Sequence, residues 1–378
     1  MEERLFDDFK APKPADWRDH IISELKGKPI EELNWSVAGI EGKPFYTKED
    51  LPDELPQMQI ANEQALELGS RNWVNYQVIL VEDEKMANEK ALHALNSGAN
   101  GLLFQVNKLV NFELLLKDVL LPFCSIGFEV KNDANALVQA FENYVAQNDI
   151  KPTEVRGFIR SSGDTQLSKL PNFRILFSET KHDDVPKSLA ILLANCIDRL
   201  DENAANEQEA AKWLKQSLFN LNLGESYFLE IARHRALRLL IQQLAKSYQL
   251  DLALEEIQIL STSGQWNEPT KDEYNYLLRA STQAMAAITG GTNALVINPF
   301  HKLFEKNPAQ GERIARNIST ILKDESYLDK ALDPSAGSFY IESLTAQIME
   351  KAWAYLQKIE AQGGLKKLSE NEIEALTI

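Results

Sequence analysis

A histidine followed by two aspartates is the part of this sequence whose residue types most readily support chemistry. His182, Asp183 and Asp184 are consecutive in the run RILFSETKHDDVP (174–186). An imidazole beside carboxylates is suited to general-base catalysis or metal binding, so a hydrolytic site around His182 and Asp183 is one hypothesis. The competing interpretation is an exposed loop in which an aspartate caps a helix over residues 187–199. We favour the capping interpretation.

The other reactive side chains lack the spacing of a site. The remaining histidines are His20, His93, His234 and His301. We interpret them as surface or helix residues, because their positions do not match a metal-ligand set. The two cysteines, Cys124 and Cys196, provide neither a disulfide framework nor a cysteine zinc site. The run TGGTN (289–293) has the glycines of a phosphate-binding loop, but neither a lysine nor a helix start follows it.

The elements that would position these residues alternate between short apolar runs and amphipathic stretches from residue 73 onward, which is typical of βα units with a parallel sheet. The predicted strands are 74–80, 101–106, 124–130, 155–159, 174–177, 218–223, 257–260 and 294–297. Eight such strands favour a closed TIM-type β/α barrel. In that fold the chemistry gathers at the carboxyl ends of the strands.

Two helices have clear patterns. Residues 226–248 carry a broad apolar face, and four polar residues on this helix are expected to face solvent: Arg233, His234, Arg235 and Lys246. An apolar stripe over 348–359 predicts a C-terminal helix that ends at Gly363 and Gly364.

Residues 1–70 form an N-terminal arm in this interpretation, and residues 71–378 form the barrel with its terminal helix. The arm holds two short helical pieces, 16–25 and 62–68, between loops rich in proline and glycine. Its apolar residues are too dispersed to build an independent core. We therefore expect the arm to cover another surface, on this barrel or on a second subunit, and to mediate assembly.

Composition narrows the function classes. The chain has 378 residues, 44% of them hydrophobic, and a formal net charge of -16. That charge disfavours binding to nucleic acid or to an anionic membrane. The acidic N-terminus lacks the pattern of a secretory leader, and no run of 18 apolar residues occurs. These features predict a cytoplasmic protein.

Four stretches are similar, in the same order, to segments of methylmalonyl-CoA mutases. They are GKPFYTKEDLPDEL (42–55), FLEIARHRALRLL (228–240), STSGQWNEPTKDEYNYLLRASTQAMAAITGGTNALVINPF (261–300) and RIARNISTILKDESYLDKALDPSAGSFYIESLTAQIMEKAWAYLQKIEAQGG (313–364). The resemblance implies the barrel domain of those enzymes.

The resemblance also shows where this chain departs from catalytic members. Where they carry RPWTIRQY, which grips the acyl-CoA, this chain has SRNWVNYQ (70–77). Arg71 and Trp73 are kept, whereas Val74, Asn75 and Tyr76 replace the following donors. An amide does not match the bidentate recognition of an anion by a guanidinium.

At the fifth and sixth strands, too, polar residues of the catalytic members are replaced by apolar or uncharged residues. At the fifth strand, Leu176 and Phe177 stand against the Tyr–His pair of SGYHMQEAG, which polarises the thioester carbonyl. At the sixth, Gln216 and Leu218 replace an Arg and a Ser that hold the CoA portion. We expect Leu176, Phe177, Leu218 and Leu260 to fill the barrel interior.

The seventh and eighth strand ends lose imidazoles. HSQTSGW of the catalytic relatives becomes ILSTSGQW (259–266), and GHTQSLHTN becomes GGTNALVIN (290–298). Gly291 and Val296 thus replace two histidines, and Asn293 replaces a glutamine. The DxHxxG signature of the cobalamin domain does not occur in this sequence.

The resemblance and these departures imply the noncatalytic small subunit of a heterodimeric methylmalonyl-CoA mutase. We expect no catalytic, cofactor-binding or metal-binding residue in this chain, and we expect adenosylcobalamin in the catalytic large subunit that is its partner. Self-association to a homodimer is expected to be an option when that partner is absent. An alternative is an acyl-CoA mutase barrel that works with a separate cobalamin-binding chain. A third is the hydrolytic site around His182 and Asp183.

Overall fold

A closed barrel of eight parallel strands forms the centre of the fold. The computed structural model describes residues 13–51, 71–131, 133–161, 165–166, 168–179, 183–264, 274–300 and 308–378. A small antiparallel hairpin comes first, with strands β1 (Trp35–Val37) and β2 (Ile40–Gly42). The barrel strands are β3 (Val74–Leu80), β4 (Gly101–Val106), β5 (Ser125–Val130), β6 (Arg156–Ser161), β7 (Asn172–Ser178), β8 (Ser217–Asn222), β9 (Gln258–Thr262) and β10 (Ala294–Val296). β10 closes the barrel against β3, which confirms the predicted TIM-type fold.

Helices surround the barrel. They are α1 (Pro14–Glu24), α2 (Glu84–Leu95), α3 (Phe112–Leu115), α4 (Ala134–Gln147), α5 (Val185–Asn203), α6 (Glu207–Lys215), α7 (Tyr227–Ser247), α8 (Tyr274–Gly290), α9 (Pro308–Asp324), α10 (Phe339–Ala361) and α11 (Glu370–Glu374). The predicted C-terminal helix is α10, which packs against both α5 and α7. Within the residues that the structure describes, no helix is long and apolar enough to cross a membrane.

The strand boundaries follow the apolar runs except where polar residues continue a ladder. β9 extends past its predicted end because Ser261 and Thr262 pair with Leu221 and Asn222 of β8. Backbone hydrogen bonds in a parallel sheet do not depend on side-chain polarity. A pattern of hydrophobicity therefore ends a strand too early wherever its last residues carry hydroxyl groups.

The environment predicted for α7 is wrong at three positions. Arg233, His234 and Arg235 are 4%, 0% and 0% exposed, and only Lys246 is exposed as expected. The reason is that α7 packs against α8 and α10 as well as against the barrel. A helix covered on several sides buries part of its polar face, and those groups then need internal partners.

The described part of the arm packs on its own barrel. Ile40, at the start of β2, has no exposed surface and belongs to the main hydrophobic core. Glu41 exchanges backbone hydrogen bonds with the Gln347 amide of α10, and Lys351 Nζ donates to Gly39 O over 2.9 Å. α1, in contrast, buries none of its residues. The predicted helical piece at 62–68 lies outside the described residues, and the boundary at residue 70 stays a prediction.

Candidate functional site at the two barrel mouths

The barrel has two ends, which we call the amino mouth, at the amino-terminal ends of the strands, and the carboxyl mouth, at their carboxyl-terminal ends. A cluster of apolar side chains, the plug, closes the barrel axis between them. The cluster that faces inward consists of Tyr76, Leu103, Phe158, Leu176, Leu218, Leu260, Ala294 and Val296. Gly127 of β5 makes room for it, since a Cβ there would lie 2.8 Å from the Phe158 ring and 3.0 Å from Leu103. Close packing of this kind leaves no continuous tunnel. The expectation of an apolar interior is confirmed for Leu176, Leu218 and Leu260.

Phe177 is the exception to that expectation. Side chains alternate between the two faces of a strand, so an inward Leu176 directs Phe177 outward. There Phe177 stacks on Phe219 with ring centroids 5.7 Å apart, within the core between strands and helices. The prediction that Phe177 fills the axis is therefore wrong.

Below the plug, a cavity of about 810 Å³ opens at the amino-terminal ends of the strands. Several arginines and glutamates line it, among them Arg71, Arg156, Arg174, Glu154 and Glu256. Its floor is the inward Tyr76, whose hydroxyl lies 2.6 Å from Oγ of Ser125. Burial raises the pKa of the Tyr76 phenol, so this group is a neutral hydrogen-bonding partner.

Arg71 is the least satisfied cation of this mouth. Only 4% of the residue is exposed, and both terminal nitrogens lack hydrogen-bond partners among the described residues. Burial lowers the pKa of Arg71 to about 10, and the charge of Asp333 opposes that shift. Such a guanidinium is costly to bury unless an anion compensates it.

The neighbours of Arg71 in the predicted acyl-CoA segment have structural roles. Trp73 donates its indole N–H to Ser319 Oγ over 2.8 Å, and Asn75 donates its amide to Arg316 O over 3.1 Å. Both partners lie on α9. These two side chains therefore attach α9 to the outside of the barrel and do not face the axis.

The run TGGTN does not form a phosphate cradle. The N–H groups of Gly291, Thr292 and Asn293 donate to the carbonyls of Ile288, Ala287 and Ile259. Internal acceptors therefore occupy the donors that a phosphate would need. The Asn293 side chain accepts from Ile259 N and from Arg238 Nη2 over 3.0 and 2.9 Å, so it holds the amino ends of β9 and β10 together.

Gln216 is also structural. Its amide nitrogen donates to the carbonyls of Leu170 and Ser168 over 3.1 and 3.4 Å, which fixes the turn before β7. Val296 faces the axis within the plug. Neither residue offers a donor to a ligand in the axis.

At the carboxyl end, Asp184 caps a helix. Oδ1 of Asp184 accepts from Lys187 N over 2.8 Å, which confirms Asp184 as the N-cap of α5. Asp183 is exposed. His182 lies outside the described residues, so its predicted role stays untested.

A buried charge network joins the carboxyl ends of β7 and β8 to α7. Arg233 pairs with Glu179 and, at 2.9 Å, with Glu230. Glu179 also accepts from Ser188 Oγ on α5 and from Asn222 N. Burial raises the pKa of Glu230, opposed by the charge of Arg233. The two carboxylates and the guanidinium between them connect the carboxyl ends of these strands to α7. Because each carboxylate already has protein partners, we interpret this network as structural rather than catalytic.

His234 and Ser261 form a pair that the sequence interpretation missed. His234 Nε2 lies 2.7 Å from Ser261 Oγ, and Nδ1 lies 2.7 Å from Glu230 O. The geometry resembles a nucleophile with its base. Both residues have no exposed surface and lie between α7 and β9, so no substrate reaches them. Only contacts in three dimensions reveal this pair, because 27 positions separate the two residues.

The described residues do not fit a metal or a cobalt centre. No group of three or more His, Cys, Asp or Glu that suits a metal ion occurs in the part of the chain that the structure describes. Among the described histidines, His20 and His93 are exposed on α1 and α2. His234 is fully buried between α7 and the outer face of the barrel. This part of the chain thus offers no imidazole to a corrin at either mouth.

Sequence comparison decides the family of this barrel. A family model described as methylmalonyl-CoA mutase matches residues 184–378. The chain belongs to the methylmalonyl-CoA mutase family. It is 32% identical to a methylmalonyl-CoA mutase small subunit from Porphyromonas gingivalis, covering 98% of this chain and 66% of that protein. It is 25% identical to a methylmalonyl-CoA mutase from Cereibacter sphaeroides, covering 93% of this chain and 59% of that protein.

A methylmalonyl-CoA mutase large subunit from Porphyromonas gingivalis matches a shorter part. It is 34% identical over 41% of this chain and 22% of that protein. The chain thus resembles both subunit types from one organism, and it resembles the small subunit over more of its length. It spans less than two thirds of the length of these relatives.

Proposed function

We propose that this chain is the noncatalytic small subunit of a heterodimeric, adenosylcobalamin-dependent methylmalonyl-CoA mutase in the cytoplasm. The observation that carries the proposal is the apolar plug. Leu176 and Leu218 occupy positions where catalytic relatives present polar groups, and both lie in the axis. A barrel closed in this way cannot hold an extended thioester along its axis or polarise its carbonyl.

The proposed partner is the catalytic large subunit, which would bind adenosylcobalamin and interconvert methylmalonyl-CoA and succinyl-CoA. Resemblance to a small subunit from an organism that also has a large subunit supports this choice. The test is affinity purification from native lysate, followed by identification of the copurified chain. A larger chain with the DxHxxG signature is the expected result, and its absence at stoichiometric yield would contradict the pairing.

Ligand titration of the purified chain tests the noncatalytic role. We expect calorimetry to show neither methylmalonyl-CoA nor adenosylcobalamin binding in the micromolar range, because the axis is filled and no described imidazole is available. Micromolar binding of either ligand would overturn this part of the proposal.

The amino-mouth cavity favours a second candidate, an acyl-CoA mutase barrel that works with a separate cobalamin-binding chain. Its volume of about 810 Å³ suits a polyanionic ligand, and so does the Arg71 guanidinium, whose terminal nitrogens have no hydrogen-bond partners among the described residues. If methylmalonyl-CoA binds the wild-type chain and Arg71→Met abolishes that binding, this candidate replaces the first. Turnover would then require the addition of a cobalamin-binding chain.

We propose further that α1 contributes to assembly. It buries no residue, and its Trp17 stacks on Phe45 of the same arm, with ring centroids 4.6 Å apart. Because Ile40 is part of the core, an informative deletion stops before the β1–β2 hairpin. Removing residues 1–27 should leave a folded barrel that binds the large subunit more weakly. Unchanged affinity would limit the arm to a structural role.

A further inference from the structure

The carboxyl mouth carries a group of polar side chains directly above the plug. Leu103 of β4 and Phe158 of β6 point into the axis, so Gln105 and Arg160, two residues further along, face the same way. Glu129 of β5 pairs in register with both residues. We call Gln105, Glu129 and Arg160 the mouth triplet.

The mouth triplet is linked but incompletely satisfied. Gln105 Nε2 donates to Glu129 Oε2 over 2.9 Å, whereas Arg160 Nη1 lies 3.7 Å from Glu129 Oε1. The longer separation exceeds an ordinary hydrogen bond. Nε of Arg160 is buried and has no partner among the described residues. The side chains of Arg160 and Glu129 remain 23% and 34% exposed, so both are accessible from the mouth.

The opposite side of this mouth contrasts with the triplet. Asn220 of β8 and Thr262 of β9 also lie two residues beyond inward members of the plug. Their side chains are bonded to each other over 2.7 Å and are 1% and 7% exposed. These groups satisfy one another, whereas Nε of Arg160 has no acceptor among the residues that the structure describes.

We propose that the mouth triplet binds a small α-amino acid. Its carboxylate would be held by the Arg160 guanidinium, and its ammonium would be held by the Glu129 carboxylate and the Gln105 side-chain carbonyl. A ligand that carries both charges leaves neither protein charge uncompensated in this half-buried site. A simple anion would meet Glu129, and a simple amine would meet Arg160.

The plug limits the size of the ligand. Leu103 and Phe158 close the axis immediately below the triplet, so the ligand enters and leaves by the carboxyl mouth and its side chain rests on an apolar floor. A methyl side chain is small and apolar enough to rest on this floor, so alanine is the probe that matches the site. Propionate lacks its ammonium group and ethylamine lacks its carboxylate, so the three compounds separate the two charge contacts.

The experiment is titration of the full chain with alanine, propionate and ethylamine, followed by calorimetry or by NMR chemical-shift changes. We expect alanine to bind with a dissociation constant on the order of 1 mM, which is reasonable for six heavy atoms. Propionate and ethylamine should bind at least tenfold more weakly. No alanine binding at tens of millimolar, or equal binding of propionate, would overturn the proposal.

Variants locate the site. Arg160→Gln and Glu129→Gln should each weaken alanine binding at least tenfold, whereas Arg156→Gln, at the amino mouth, should leave it unchanged. Circular dichroism checks that each variant is folded. If either Arg160→Gln or Glu129→Gln fails to fold, the other variant tests the site. Alanine binding that survives both triplet substitutions would place the ligand elsewhere and refute the assignment.

Discussion

His234 and Ser261 are joined by a 2.7 Å contact that no solvent reaches. The contact bridges α7 and β9, and Oγ of Ser261 lies a further 2.8 Å from Oγ1 of Thr292. A chain of hydroxyl groups ending on a neutral imidazole thus joins α7 to β9 and to the turn that precedes β10. The pair stabilises the wall, and its protonation state has consequences for the whole fold.

We predict that His234 makes the fold sensitive to acid. Burial lowers the pKa of His234 to about 3, and Arg233 and Arg238 act in the same direction while a hydrogen bond to Glu230 O opposes them. The unfolded chain takes up a proton near pH 6.5, so the stabilisation is complete above that pH and is lost as pH falls toward 3. Between pH 7 and pH 4 this residue should reduce the free energy of unfolding by about 3 kcal/mol.

Urea unfolding at several pH values measures this effect. His234→Gln removes the titration and should flatten the acid limb of the profile, although the variant is less stable at pH 7. His93→Gln, on the exposed surface of α2, is the matched control and should retain the wild-type slope. Equal slopes for both variants would rule out His234 as the source.

Arg71 should be replaceable with a gain in stability. Its terminal nitrogens have no hydrogen-bond partners among the described residues. Burying such an ion costs several kcal/mol even after relaxation, and the charge of Asp333 offsets only part of the effect of burial. Arg71→Met keeps much of the volume and should raise the free energy of unfolding by about 1 kcal/mol. Denaturant titration in a buffer free of polyanions measures it, with Arg156→Met, an exposed mouth arginine, expected to change stability by less than about 0.5 kcal/mol. A destabilised Arg71→Met would show that the guanidinium has a partner in the folded chain.

Ile40 should contribute to stability as a core residue although it lies in the arm. It is fully buried, so Ile40→Ala should cost about 2–4 kcal/mol in the free energy of unfolding. Val37→Ala, in the same hairpin at 45% exposure, should cost less than about 1 kcal/mol. Thermal and urea denaturation compare the two. Similar small effects would mean that the hairpin does not dock on the barrel in solution.

The two cysteines should be unreactive in the folded chain. Burial raises the pKa of Cys124 to about 11 and that of Cys196 to about 12, and both thiols are free. The reactive thiolate is therefore scarce at pH 8. A chromogenic disulfide reagent should modify neither thiol in buffer and both in denaturant. Rapid modification of the native chain would contradict the buried environment.

Most of the barrel follows from the sequence because its strands are continuous apolar runs, which parallel sheets covered on both faces require. The inward side chains were predictable at Leu176, Leu218 and Leu260 for the same reason. Phe177 was not, because neighbouring strand residues face opposite sides and only one of Leu176 and Phe177 can point into the axis. His234 and Arg235 were missed because their burial depends on α8 and α10, whose contacts with α7 span tens of residues.

The mouth triplet was missed for a related reason. Gln105, Glu129 and Arg160 lie on three different strands, and only the barrel register places them side by side. The alternation of side chains along a strand could have revealed it. Once Leu103 and Phe158 are assigned to the axis, every second residue along their strands must also face the axis, and this includes Gln105 and Arg160.

The plug also separates the cavity at the amino-terminal ends of the strands from the mouth triplet at their carboxyl ends. Nothing that enters at the Arg71 side can emerge at the Arg160 side without breaking the contacts among Tyr76, Phe158 and Leu218. A partner seated over one opening therefore leaves the other in contact with solvent, and the two openings are free to acquire different ligands by substitutions at one end of the strands alone.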